Sequence, residues 1–231
     1  MQTHKLKPQS VRRARTKPYA VKEAYVTLQG EGAQTGRAAV FLRFAGCNLW
    51  SGLERDRHNA ICSFCDTDFV GTNGENGGEF KTVDALAQHV AAIWQSEGPE
   101  GGTPYVICTG GEPLLQLDTP AIVALHKAGF EVGVETNGTI KAPPGLDWIC
   151  VSPKANARLK QTSGHEIKLV YPQDEAEAHP SKFEHMQFEH FFLQPKDDTA
   201  QSDNIAATAA YCIKHPKWRL SLQTHKLIGL P

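Results

Sequence analysis

No stretch of this 231-residue chain is apolar for long enough to cross a membrane, and no apolar run has the form of a secretory signal. Net charge is missing too: 24 Lys and Arg stand against 25 Asp and Glu, a formal charge of -1. A chain so balanced lacks the overall field that gathers nucleic acid or an anionic membrane surface, so neither is an expected partner. The expectation is a cytoplasmic protein whose partners are read from its sites. In that compartment six cysteines are read as metal or catalytic thiols before disulfides.

The charge that is present is uneven. Lys5, Lys7, Arg12, Arg13, Arg15 and Lys17 precede the first acidic residue, Glu23, with almost nothing apolar among them. Residues 1–18 are therefore expected to be a disordered tail, and 19–231 a single domain with a sizeable core. Within it, short β-branched runs at 23–28, 39–44, 105–108, 131–134, 148–151, 166–170, 190–193 and 219–222 read as strands. Thr82 is placed to cap a helix whose apolar stripe is Val83, Leu86, Val90, Ile93 and Trp94. Two more helices are expected over 119–128, stopped by Gly129, and over 202–214, ahead of Pro216.

Alternating strands and helices imply parallel β-α units, and a polar segment follows almost every strand: LQGEG, AGCN, TGGEP, ETNG, SPK, QPKD and QTHK. The carboxyl ends of strands are where a β/α barrel assembles its active site. Eight full units would be cramped at this length, so the expected fold class is α/β, a partial or trimmed (β/α) barrel. GTNGENGG, residues 71–78, reads as a surface loop, because so many glycines are not expected in a packed element.

Cys47 is followed by fourteen residues, Cys62, two residues and Cys65, with no fourth cysteine nearby. Cys108, Cys150 and Cys212 fall within apolar patterns and read as core. A structural zinc needs a fourth ligand such as His58 or Cys108, whereas three thiolates suit an iron–sulfur cluster with one iron open to another ligand. Spacing alone leaves both open. TGGEP, Thr109–Pro113, adds glycines that let the backbone approach a ligand at a strand end, and a carboxylate at Glu112.

The triplet, with Phe64 between its last two cysteines, and TGGEP together resemble the radical S-adenosylmethionine superfamily. The first gap of fourteen, in place of that superfamily's three, departs from its usual pattern. That gap, with LQGEG, RFAGCNLW before and through Cys47, and CDT after Cys65, resembles the 7-carboxy-7-deazaguanine synthase family over nearly all of Tyr19 to Pro231. The resemblance implies conversion of 6-carboxy-5,6,7,8-tetrahydropterin to 7-carboxy-7-deazaguanine with loss of ammonia. It implies a 4Fe-4S cluster on Cys47, Cys62 and Cys65, and Mg2+ at Thr67. It assigns S-adenosyl-L-methionine to Phe64, Cys65, Asp66, Gly111, Glu112, Ser152, Pro153, Lys154, Gln194, Pro195, Lys196 and Asp197.

The pterin is assigned to Leu28, Gln29, Gly30, Arg43, Thr109, Glu135 and Pro231, with Arg43 clamping its carboxylate and Glu135 accepting from its guanidine-like edge. His225 reads equally as a substrate-orienting or a structural group. The resemblance also implies a homodimer and an electron donor such as flavodoxin or a ferredoxin. Two alternatives stand beside it. A glycyl-radical activase would keep the short first gap and lack LQGEG, and a zinc-stabilised binding module would hold zinc and no iron. Trp50, Arg55 and His58, inside the long gap, carry no assigned chemistry.

Overall fold

Parallel pairing runs from β2 (Ala38–Phe44) through β4 (Tyr105–Gly110), β5 (Glu131–Thr136), β6 (Trp148–Val151), β7 (Ser163–Tyr171) and β8 (Gln187–Pro195) to β9 (Arg219–Leu220). β1 (Tyr19–Leu28) lies antiparallel between β2 and β3 (Gly78–Phe80), giving the sheet order β3-β1-β2-β4-β5-β6-β7-β8-β9. This is a computed structural model describing residues 17–231; apart from Lys17 and Pro18, the expected basic tail lies outside them. The sheet does not close, in keeping with the trimmed barrel expected. No helix among the described residues is long and apolar enough to cross a membrane.

Strand alternation sorts side chains onto two faces. Val40, Leu42, Phe44, Val106, Cys108, Val132 and Val134 face outward into a core with α1 (Val83–Glu97) and α2 (Thr119–Lys127), each fully buried aliphatic side chain contributing about 1.5–3 kcal/mol. Thr82 caps α1 by accepting from Ala85 N at 3.1 Å, and Asp118 caps α2 in the same way. A second core joins Ile167, Leu169, Phe191 and Leu193 to Trp218, with Tyr211 and Cys212 of α3 (Gln201–Lys214) packed on it. On the inner face, Ala39, Tyr105 and Ile107 plug one end with Phe41 and Trp148. Beyond this plug the inner face turns polar.

Two features differ from the sequence expectation. β1 runs against β2, so Leu28 pairs with Ala38 and LQGEG leaves β1 at the amino ends of the parallel strands. The segment after it crosses the inner face instead: Gly32 N donates to Ser221 Oγ at 2.9 Å and Ala33 N to Glu166 at 2.8 Å. Gly71–Gly78, by contrast, is the surface loop expected: none of its residues is buried, and its backbone is tied to β1. Gly74 N donates to Lys22 O and Ala24 N to Glu75 O, and a Cβ at Gly77 would collide with the Lys22 and Thr72 carbonyls, so close backbone approach is what its glycines permit. Finally, Cys150 is buried on the polar inner face, beside Glu135 and Glu166, rather than in an apolar core.

Candidate active site

A cavity of about 500 Å3 opens on the inner face, and Cys47, Cys62 and Cys65 all line it. The segment between the first two is folded, not slack. Trp50 is buried edge-on against Phe69, and the 3-10 turn Glu54–Asn59 carries Arg57 back over the Trp50 ring at 4.1 Å. Arg57 Nη1 donates to the carbonyls of Ser63 at 2.8 Å and Cys65 at 3.1 Å, fixing the loop that presents the last two thiols. Arg55 and His58 point outward and are exposed.

The thiols are poised unequally. Cys62 donates a hydrogen bond to Cys65, which holds the Cys65 thiol down to about 6 despite burial, while the same bond and burial push Cys62 up. Burial also raises Cys47. The glycine turn after β4 is pressed against them: a Cβ at Gly111 would strike Gly46 O and lie 2.7 Å from Cys47 Cβ. Three thiols on one wall, two within hydrogen-bonding reach, with a side-chain-free backbone alongside, fit the donor set of an iron–sulfur cluster that leaves one iron open.

Glu112 is placed differently from its neighbour. Its carboxylate is wholly buried, accepting from Leu114 N at 3.0 Å, Thr136 Oγ1 at 2.7 Å and Asn137 N at 2.8 Å, so it braces TGGEP against ETNG behind the cavity wall. Burial nonetheless raises its pKa, against the pull of those donors. Asn137 in turn donates to Asn48 Oδ1 at 3.1 Å, joining the turn to the cysteine segment. Leu28, Gly30, Ser152 and Pro153 also sit behind the lining, with Ser152 Oγ accepting from Lys154 Nζ at 2.6 Å; Lys154 itself reaches the cavity.

The far half of the cavity is built on charge. Lys168, buried in β7, donates to Glu31 at 2.5 Å and to Glu135 at 2.9 Å. Gln29 donates to Glu135 at 3.1 Å, and Gln194 and Gln223 each donate to Glu31 at 3.0 Å. Burial opposes the charge on Lys168, but the surrounding Cys150, Glu135, Glu31 and Glu166 outweigh it and keep the ammonium well above its usual value. Burial likewise opposes ionisation of Glu31; Lys168, helped by Gln223 and His225, overcomes this and holds the carboxyl down to about 2. Glu166, one layer behind, is pushed up by burial.

Arg43 reaches the lining from β2, held from behind by Glu23 at 2.8 Å and the Tyr25 hydroxyl at 3.1 Å. Phe64, Asp66, Thr67, Thr109, Gly111, Gln194, Pro195, Lys196, Asp197 and Pro231 also reach it. His225 lines it as well, its pKa lowered mainly by burial. The sequence reading missed Glu31, Lys168 and Lys226. Glu31 was present in LQGEG, and a lysine within the apolar run EIKLV was a visible signal; Lys226 follows His225 in QTHK.

No family model matches the chain. A protein of Caulobacter vibrioides named 7-carboxy-7-deazaguanine synthase is 60% identical over 213 residues, covering 92% of this chain and 99% of that protein. One of the same name from Bordetella pertussis is 58% identical over 213 residues, with the same shares covered. Among solved structures, the crystal structure of QueE from Escherichia coli aligns at a TM-score of 0.64 and 26% identity, over 89% of this chain and 93% of that one.

Proposed function

The chain belongs to the 7-carboxy-7-deazaguanine synthase family, and on that footing we propose that it converts 6-carboxy-5,6,7,8-tetrahydropterin to 7-carboxy-7-deazaguanine with loss of ammonia, as a radical S-adenosyl-L-methionine enzyme. The observation that carries this reading is the shared wall of Cys47, Cys62, Cys65 and Gly111, with the other three cysteines placed elsewhere. When bound, the 4Fe-4S cluster and S-adenosyl-L-methionine supply one-electron reduction and a hydrogen-abstracting carbon radical.

The chain's own residues bind, orient and exclude water. Cys47, Cys62 and Cys65 hold the cluster, and Phe64, Asp66, Gly111, Lys154 and the segment Gln194 to Asp197 bound the cofactor side, backed by Glu112, Ser152 and Pro153. Arg43 receives the pterin carboxylate, its guanidinium aimed by Glu23 and Tyr25. Gln29 and Glu135 offer an amide and a carboxylate to the pterin's amide-like and guanidine-like edges. Thr109 and Pro231 line the same pocket, with Leu28 and Gly30 behind that lining. Thr67, which lines the cavity, would offer a neutral hydroxyl oxygen to Mg2+, a hard cation that favours oxygen ligands.

A homodimer, a cytoplasmic location, an electron donor such as flavodoxin or a ferredoxin, and a single domain over 19–231 complete the proposal. Anaerobic reconstitution with iron and sulfide, then incubation with reductant, Mg2+, S-adenosyl-L-methionine and carboxytetrahydropterin, tests it. Ammonia and the deazaguanine carboxylate are expected in equal amounts. An intact cluster that yields neither overturns the reading.

A further inference from the structure

The segment 223–231 borders both halves of the cavity with little apolar anchorage. α4 (Thr224–Leu227) has no buried residue, and Leu227 and Ile228 are 71% and 61% exposed. Its attachment is polar. Thr224 donates from N and Oγ1 to Gly30 O at 2.9 and 3.0 Å, and Thr27 Oγ1 donates to Pro231 O at 3.4 Å. Between these points Lys226 Nζ donates to Asp66 Oδ2 at 2.8 Å and to Asp197 Oδ2 at 2.5 Å.

Those two carboxylates come from separate loops, one following Cys65 and one following β8. Sharing one ammonium draws them together; without it, two like charges face each other across the cavity wall. On either side of Lys226 the same segment carries groups for the other half of the cavity. His225 packs so closely on Gly30 that a Cβ there would overlap its ring, and Gln223 holds Glu31. One side chain thus connects the cofactor wall to the segment that forms part of the pterin wall.

We propose that Lys226 is a positioning residue that couples the two halves: a ligand that orders the loops of Asp66 and Asp197 also orders 223–231, and so prepares the pterin pocket. The inference rests on the assignment of Asp66 and Asp197 to the S-adenosyl-L-methionine side. Ordering a poorly anchored segment costs conformational entropy, and a second ligand that finds it already ordered binds more tightly by that amount. The coupling is reciprocal.

The test uses the reconstituted protein without reductant, so that no turnover occurs, as the unaltered chain, Lys226→Met and Lys226→Arg. Dissociation constants of S-adenosyl-L-methionine and of carboxytetrahydropterin are measured alone and in each other's presence, and hydrogen exchange is followed in peptides covering 223–231. In the unaltered chain each ligand should tighten the other by about fivefold or more, and S-adenosyl-L-methionine should slow exchange in the segment. Lys226→Met should bring the ratio towards one and abolish the protection, and Lys226→Arg should restore both. A Lys226→Met protein with the unaltered ratio and protection overturns the proposal, as does an unaltered chain that binds both ligands without coupling. Failure of the unaltered chain to bind S-adenosyl-L-methionine at all is a different result: it removes the functional reading, and the coupling with it.

Discussion

The Arg57 guanidinium spans from the face of Trp50 to the carbonyl of Cys65, eight residues further along the chain. The long gap between the first two thiols therefore closes on itself and grips the loop of the last two. Losing this grip removes two hydrogen bonds to carbonyls and a cation–π contact, worth about 1–2 kcal/mol together in a half-exposed setting. Arg57→Ala is expected to release iron to a chelator about tenfold faster than the unaltered reconstituted protein. Equal release rates would assign the grip no part in holding the loop.

Gly111 is the point where the backbone after β4 meets the cysteine segment. Gly111→Ala forces Gly46 or Cys47 to move, since neither a backbone carbonyl nor a thiol-bearing Cβ yields easily. Iron bound per chain after reconstitution should fall below about half that of the unaltered protein, with the thermal transition lowered by about 1–3 kcal/mol of stability. Full iron loading in the variant counts against this packing.

Glu31 sets a pH dependence whose sign follows from its environment. Its folded pKa is depressed from 4.5 to about 2, so its contribution to stability is present above pH 4.5 and lost as pH falls through about 2. The unaltered protein should lose stability to denaturant over that window more steeply than Glu31→Gln. At neutral pH the variant should itself be less stable by about 3 kcal/mol, because Lys168 loses one of its two buried partners. Parallel pH profiles for the two proteins would show that Glu31 is not held ionised by Lys168.

Arg43 presents a fork, not merely a charge, because Glu23 and Tyr25 fix its plane. Arg43→Lys should raise KM for the pterin by tenfold or more, about 1.4 kcal/mol, while leaving KM for S-adenosyl-L-methionine within about twofold. A rise confined to the cofactor would place the pterin carboxylate elsewhere.

The elements governed by local chemistry were readable in the chain. α1 begins where Thr82 caps it, and α2 ends where Gly129 adopts a φ of 94°. Strand direction was harder, because direction depends on the partner. Even so, residues 29–37 are too few for the crossover that a parallel β1–β2 pair requires, a signal present in the sequence and not used. The thiols and glycine turn of the site were legible because covalent and steric demands restrict which residues serve there. The Lys168 cluster was not, since Glu31, Glu135 and Glu166 lie far apart in sequence and meet only once the sheet's register is set. Cys150 escaped for the same reason: its strand is apolar, but the face it occupies is decided by its neighbours.

The sheet begins and ends on its two shortest strands, Gly78–Phe80 and Arg219–Leu220. A sheet that stops short of a closed barrel leaves two rows of backbone donors and acceptors without partners, and each such row is a template on which another chain's strand can dock. Strands of three and two residues keep those rows too brief to template such growth. The open architecture is thereby kept from polymerising along its rims.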